Sequence, residues 1–531
     1  MTLRGTFIAA RRRVCFSAPA ILLALLIAPR HAFAREAAVG ATRVNDACER
    51  LRSVALSAAS VTATQAVAPN RDPFFAPRAF CRVLLTIVPT PDSDIKAEVW
   101  LPLEGWNGKF QAVGNGDAAG VISYEAMADA LARGYATSST DTGHVGNTMA
   151  FALGHREKYV DFGYRAVHEM TARAKVVVEA FYRMAPTHSY WNGCSQGGRQ
   201  GITEAIRYPS DYDGIIAGAP AIDYMHLHAA RLALNRFVHR TDDSPIPPAK
   251  YPAIHRAALA ACDAVDGVAD GLIADPFRCR FDPAVLKCVK DDAASCLTAA
   301  QVETARAMYA PVVDPTTGRI VSPALLQPGS ELGWSRLAGS EPLINAVDAF
   351  RYVVFKNANW DWRRFRLSLD LPRALEADEG VIDRTDANLQ PFFDAGGKLL
   401  LYHGWADPQV SAAATVDYFH AVVDATTKQA EGRSIELYMA PGVNHCRGGE
   451  GPDTFDAVAA LDAWVRNGRP APIVASYAAD APIDRTRPLC LYPQIAQYVG
   501  KGSIDDAANF RCADVGGPVQ RSQSSPRNAK R

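Results

Sequence analysis

The stretch Ser189-Tyr190-Trp191-Asn192-Gly193-Cys194-Ser195-Gln196-Gly197-Gly198-Arg199 decides how the rest of this 531-residue chain is read. Residues 189–192 suit a short strand, the glycines after them allow a sharp reversal, and 199–207 has helical spacing. Gly193 to Gly197 matches G-x-S-x-G, a pattern that is weak alone but informative between a strand and a helix, where the tight turn exposes the serine hydroxyl. Such a hydroxyl is a poor nucleophile. It needs a base, and the base needs an orienting carboxylate.

Outward from this turn, strand-like and helical runs alternate. Residues 82–101 read as a hairpin around Pro89-Thr90-Pro91-Asp92-Ser93. Strand-like 109–113 precedes a glycine-rich turn and helical 125–133; residues 164–183 are helical and 214–217 extended. The alternation returns with strand 398–402, helix 412–423, strand 435–439 and helix 454–466, where Phe455, Val458, Leu461 and Trp464 share one face. This is the pattern of a mainly parallel sheet covered on both sides, an α/β fold. Residues 223–389 interrupt it. They are rich in Asp, Pro and Cys, carry the aromatics Phe350, Tyr352, Phe355, Trp360, Trp362 and Phe365, and read as a large inserted lid domain. The catalytic domain is therefore expected in two parts, 35–222 and 390–515.

The charge balance, 56 basic against 56 acidic residues, hides an asymmetry. Residues 1–34 hold five Arg and no acid, and 516–531 hold four basic groups and no acid, which leaves 47 basic against 56 acidic in 35–515. A net-acidic body offers no footprint for nucleic acid. No apolar run reaches the roughly 18 residues of a membrane span. Arg11-Arg12-Arg13, the apolar run 14–29 and Ala32-Phe33-Ala34 read as an export signal over 1–34, so the mature protein is expected in the periplasm or outside the cell. The Ser/Gln/Arg-rich tail 516–531 is expected to be disordered. Ten of the 11 Cys lie beyond the signal, an even number that suits disulfides. Local spacing suggests Cys262–Cys279, Cys288–Cys296 and Cys490–Cys512; Cys48, Cys81, Cys194 and Cys446 would supply two more pairs.

In α/β-hydrolases the catalytic residues follow in the order Ser, acid, His. Asp407 follows strand 398–402 and His445 follows strand 435–439, both where active-site loops of open sheets gather. His403 and His144 are rivals for the base. Cys194 directly precedes the proposed nucleophile and Cys446 directly follows the proposed base, so a bond between them would hold Ser195 and His445 together.

These residues resemble the tannase/feruloyl esterase family of secreted α/β-hydrolases, which includes mono(2-hydroxyethyl) terephthalate hydrolase. The resemblance runs through Trp106-Asn107-Gly108-Lys109-Phe110, Gly114-Asn115-Gly116, Asp141-Thr142-Gly143-His144, Gly193 to Arg199, Tyr402 to Pro408, Pro441 to Cys446 and Arg487-Pro488-Leu489-Cys490. It implies Ser195 as nucleophile, Asp407 as orienting acid, His445 as base, and five disulfides with Cys48–Cys81 completing the set. The family continues Gly-Asn-Gly with another glycine, where this chain has Asp117. The oxyanion donors are then the backbone N–H groups of Gln196 and Asp117, provided that the Asp117 carboxylate does not point inward.

Asp263-Ala264-Val265-Asp266-Gly267-Val268-Ala269-Asp270-Gly271-Leu272 places three carboxylates close together on a loop that two glycines let curl. Such a set must be solvated or bound to a cation, and calcium takes six to eight oxygens of both carboxylate and carbonyl type. Resemblance to the family's lid site implies structural Ca2+ on the side chains of Asp263, Asp266 and Asp270 and the carbonyls of Val268 and Leu272. The expected substrate is a small aromatic ester, hydroxycinnamoyl first, with gallates and terephthalate monoesters as alternatives. Lid aromatics are expected to face the acyl ring, with Val410 on the opposite wall. A hydrolase-fold binding protein without catalysis is the reading from a different class.

Overall fold

The computed structural model describes residues 46–383, 386–426, 434–478, 481 and 483–514. The expected export signal over 1–34 and the tail 516–531, expected to be disordered, lie outside the described residues.

From Ala47 onward the chain is organised on one nine-stranded sheet. Its strands are β1 (Ala59–Val67), β2 (Phe80–Ile87), β3 (Ile95–Pro102), β4 (Phe110–Val113), β5 (Ala136–Thr140), β6 (Ser189–Cys194), β7 (Gly214–Gly218), β8 (Lys398–Gly404) and β9 (Ile435–Ala440), in the spatial order β1-β2-β3-β5-β4-β6-β7-β8-β9. β1 to β3 form an antiparallel meander, and the hairpin read from the sequence pairs Phe80 with Pro102 through Ile87 with Ile95. The six strands from β5 to β9 are mutually parallel. This is an α/β-hydrolase architecture, with the carboxyl ends of β6, β8 and β9 pointing the same way.

Helices cover both faces of the sheet. α1 (Tyr124–Ala132), α2 (Ala166–Tyr182), α3 (Gln196–Arg207), α4 (Ala412–Ala425) and α5 (Ala457–Asn467) follow strands, as parallel connections require. One core cluster sets Val167, Met170, Val177 and Val178 of α2 and Val416, Phe419 and Val422 of α4 against the sheet; another sets Leu461 and Trp464 of α5 against Tyr190 and Leu400. Two helix starts differ from the sequence reading by three residues. α3 begins at Gln196 because the chain turns helical directly after Ser195. α5 begins at Ala457 rather than residue 454, because Asp456 caps it through the Ala459 N–H while Thr454 bridges to Ser476. Phe455 therefore stands off the helix and packs edge-on against Tyr402.

Residues 223–389 contribute the helices Tyr224–Val238, Tyr251–Cys262, Ala299–Met308 and Leu367–Asp378. Phe350, Trp360, Trp362 and Phe365 are buried in a cluster that also holds Ala118, Met149, Tyr159 and Phe162 from before residue 223. Four of the six aromatics thus serve the packing of the lid on its base; Tyr352 and Phe355 are only partly buried beside them. Val410 is buried among lid residues such as Leu227, Ala230 and Trp334 rather than lining an open wall.

Candidate active site

Ser195 sits between β6 and α3 at φ 62° and ψ −120°, a conformation an L-residue holds only where its surroundings over-determine it. The restraints are visible: Ser195 N–H donates to Gly218 O at 2.9 Å, and its carbonyl accepts from Arg199 N (3.1 Å) and Ala221 N (3.1 Å). A Cβ at Gly193 would approach the backbone of Gly197 to 2.5 Å, and one at Gly198 would come within 2.5 Å of Gly218 O. The glycines around the serine are therefore required by close approach of backbone segments.

Asp407 lies on the turn after β8 and is fully buried. His445 lies after β9, with Nδ1 2.6 Å from Asp407 Oδ2. The same oxygen lies 2.9 Å from His403 Nε2, and Oδ1 accepts from the N–H groups of Gln409 (2.8 Å) and Val410 (3.0 Å). Burial alone would push the Asp407 carboxyl up, but the charge of His445 and the hydrogen bonds from both histidines hold it well below the ordinary carboxylate range. With Nδ1–H donated to Asp407, His445 presents Nε2 as the basic nitrogen.

Cys194 and Cys446 are bonded, with Cα atoms 6.0 Å apart across 252 residues of sequence, which joins the residue before the serine to the residue after the histidine. The pairs Cys48–Cys81, Cys262–Cys279, Cys288–Cys296 and Cys490–Cys512 are also formed. Among the described residues the Ser195 hydroxyl has no hydrogen-bond partner; unliganded triads commonly hold that bond long and close it with substrate.

The rivals for the base fall elsewhere. His144 stacks on Phe151 at 3.7 Å, contacts no carboxylate among the described residues, and is pulled down to about 4 by burial. His403 touches the same carboxylate oxygen as His445, but it is itself fully buried and its other nitrogen is engaged by Thr415.

The N–H of Gln196 opens α3, where helix-terminal donors are free, and neither it nor the N–H of Asp117 has a protein acceptor among the described residues. Asp117 holds φ 45°, and its carboxylate accepts from the side-chain amides of Asn147 (3.1 Å) and Asn345 (3.5 Å). The loop Gly114–Asn115 is locked to α3 by a reciprocal pair: Asn115 N–H to Gln200 Oε1 (3.1 Å) and Gln200 Nε2 to Asn115 Oδ1 (3.0 Å).

Sequence reasoning missed what holds the acid turn from the lid. Arg231, buried on the lid helix Tyr224–Val238, donates to Gln409 O from Nε (3.0 Å) and Nη2 (2.6 Å), and Arg336 donates to Gln409 Oε1 at 2.6 Å. No local signal marks these arginines, because their partners lie 178 and 73 residues away.

In the acidic loop, Asp263 accepts from the N–H groups of Asp270 (3.0 Å) and Gly271 (2.9 Å), Asp266 from Val268 N–H (3.2 Å), and Asp270 from Leu272 N–H (3.2 Å) and Arg487. Burial, with the charges of Asp270 and Asp263, pushes Asp266 up to about 7. The carbonyls of Val268 and Leu272 accept no hydrogen bond among the described residues. Hard oxygen donors and idle carbonyls are of the kind calcium takes, but Asp270 is ion-paired with Arg487, and among the described residues the three carboxylates do not converge on one point.

The family model for tannase and feruloyl esterase matches residues 81–513. An uncharacterised esterase of Xanthomonas campestris pv. campestris is 37% identical, covering 90% of this chain and 94% of its own. A probable feruloyl esterase B-1 of Aspergillus oryzae is 32% identical over 88% of this chain and 91% of its own. Among solved structures, feruloyl esterase B from Aspergillus oryzae superposes with a TM-score of 0.83 at 30% identity, covering 88% of this chain and all of that one. Tannin acyl hydrolase from Aspergillus niger superposes at 0.73 with 22% identity, over 89% of this chain and 94% of that one, a likeness of fold.

Proposed function

The chain belongs to the tannase and feruloyl esterase family, and on that premise we propose that it is a serine esterase of aromatic carboxylic acids, with hydroxycinnamoyl esters as preferred substrates. The observation that carries the proposal is the Asp407–His445 pair bonded covalently, through Cys446–Cys194, to the neighbour of a strained serine. Ser195 Oγ attacks the ester carbonyl while His445 Nε2 takes its proton. The N–H groups of Gln196 and Asp117 receive the oxyanion, and the orientation of the Asp117 carboxylate toward Asn147 and Asn345 supports its backbone donor. The tetrahedral adduct collapses, His445 returns the proton to the departing alcohol, and a water activated by the same nitrogen releases the acid.

The choice of hydroxycinnamoyl over galloyl esters is supported by the relatives, since those at 30% identity or above over most of both chains include proteins named feruloyl esterase. A gallate pocket needs buried polar partners for three hydroxyls. Ten cysteines paired in five disulfides, and the lack among the described residues of a helix long and apolar enough to cross a membrane, support an exported protein. Calcium, held by Asp263, Asp266, Val268, Asp270 and Leu272, would neutralise the crowded carboxylates and brace the loop that Cys262–Cys279 closes; it takes no part in the ester chemistry.

The test compares kcat/KM for methyl ferulate, methyl gallate, a terephthalate monoester and a short alkyl ester, for wild type and Ser195→Ala. Methyl ferulate should lead, and Ser195→Ala should be inert. A lead for the alkyl ester would refute the aromatic-acid reading. Equal turnover by Ser195→Ala would refute the serine esterase and leave a binding protein.

A further inference from the structure

Oδ2 of Asp407 is shared by two histidines. His445 Nδ1 approaches it at 2.6 Å from the loop after β9, and His403 Nε2 at 2.9 Å from the end of β8. The second histidine is fully buried, and its other nitrogen, Nδ1, lies 2.8 Å from the hydroxyl of Thr415 on α4. Thr415 is also buried and makes no other side-chain hydrogen bond among the described residues.

These contacts determine where one proton sits. A carboxylate oxygen only accepts, so the His403 Nε2 facing it carries hydrogen. The Thr415 hydroxyl can donate to Nδ1 or accept from it, so it anchors that side of the ring while Nε2–H faces Asp407. The contacts thus form a series from Thr415 to His403, from His403 N–H to Asp407, and from His445 N–H to the same Asp407 oxygen.

The backbone bonds from Gln409 and Val410 secure only Oδ1, and they come from the same turn that carries the acid. Oδ2 is the oxygen that must meet His445, and among the described residues its one restraint from a regular element is His403, anchored by a strand at its backbone and by a helix at its ring. Side chains held by rigid elements and supporting bonds keep catalytic geometry to within a fraction of an ångström. The other charged group from a neighbouring element is Arg231 of the lid, which binds Gln409 O and also favours the carboxylate over the acid.

We propose that His403 is a positioning residue of the hydrolytic site: its Nε2–H pins Asp407 Oδ2 in line with His445 and withdraws part of the negative charge that the imidazolium of His445 will meet. The proposal rests on the triad assignment above and gives the rival histidine a role that is neither base nor filler. Two consequences follow with definite sign. Loss of the His403 donor frees the carboxylate to rotate, which lowers kcat while leaving substrate contacts alone. It also concentrates charge on Oδ2, which holds the proton on His445 more tightly and moves the acid limb of the rate profile to higher pH.

The experiment uses the full chain with His403→Leu, His403→Asn and His403→Gln, read by kcat, KM, the pH profile of kcat/KM and thermal melting. A hydrogen bond to a charged group should weigh on the order of ten- to a hundredfold in kcat. His403→Leu should show that loss with KM within about twofold, and an acid limb displaced upward by roughly half a pH unit or more. His403→Gln, whose amide reaches toward Oδ2, should recover most of kcat and return the limb. His403→Asn is polar but too short to reach, and it must repeat the behaviour of Leu if the apolar variant fails to fold. A folded Leu or Asn variant with wild-type kcat and limb overturns the proposal; so does a loss of kcat with an unmoved limb that Gln does not restore, which is the mark of a merely structural residue. Turnover by Ser195→Ala would instead bring down the triad reading itself, so the two failures are told apart.

Discussion

Replacing both Cys194 and Cys446 with alanine separates what the bridge does for the fold from what it does for the chemistry. For a loop of 252 residues the chain-entropy model gives about 5.5 kcal/mol of stabilisation, an upper figure because the unfolded chain is also constrained by other bridges. The native turn around His445 has its own supports: Ala406 N–H to Val443 O at 3.0 Å, Asn444 N–H to Gly448 O at 2.9 Å, and Glu450 N–H to Gly442 O at 2.9 Å. The double variant should therefore fold, with a lower melting temperature, and keep the His445–Asp407 contact. It loses the tether across the 6.0 Å between Cα atoms that joins this turn to the serine. A drift of about 1 Å between nucleophile and base costs on the order of a hundredfold in rate. The assay is kcat on an aryl ester well below the melting temperature, with circular dichroism as the check of folding. A folded double variant with wild-type kcat would refute the positioning role and leave the bridge as a stabiliser only.

Three other outcomes are expected. Asp117→Gly should keep kcat within a few-fold and not destabilise the protein, since the donor is backbone and glycine suits φ 45°; a large loss would mean that the carboxylate itself takes part. His255 lies between Glu331 (2.7 Å) and Glu450 (2.6 Å); burial opposes its charge, but the two carboxylates prevail and raise it to about 9. Its contribution to stability is thus fully present below the ordinary histidine value and disappears as pH climbs through 9, so the melting temperature should fall over that interval and His255→Gln should flatten the fall. Chelation should lower the melting temperature without changing kcat in protein that remains folded, by loss of mass-action stabilisation; an unmoved melting curve, together with metal analysis that finds no calcium, would reduce the acidic loop to a solvated turn.

The parts of this site that were legible in the sequence are those whose signal is local. The strand, glycines and helix around Ser195 lie within one short window, and Asp407 and His445 each follow a recognisable apolar strand. Strand β5 was not legible: its residues Ala136-Thr137-Ser138-Ser139-Thr140 carry no hydrophobic run, yet Thr137, Ser138 and Ser139 are fully buried between neighbours. Small hydroxyl side chains can fill a crowded sheet interior without announcing it. Strand β1, Ala59–Val67, escaped for the opposite reason, being largely exposed on one edge. The fate of the lid aromatics depended on which face of the lid meets the catalytic part, a tertiary fact, and so did His403, whose partner Thr415 comes from the next helix.

The grip of Arg231 and Arg336 on Gln409 has a consequence for how such enzymes can be altered. A lid that only roofed the cleft could be exchanged between relatives as a cassette, with substrate range moving alongside it. Here the same segment grasps the residue whose N–H steadies Asp407, the proposed catalytic acid. A transplanted lid without an arginine at those two places would bring a new pocket and loosen the acid beneath it, so a chimera could acquire the donor's preference and still be slow. Inheritance of specificity in this architecture would then be coupled to inheritance of two cations whose contacts are with the acid turn, and a successful graft would have to carry them across together with the walls of the pocket.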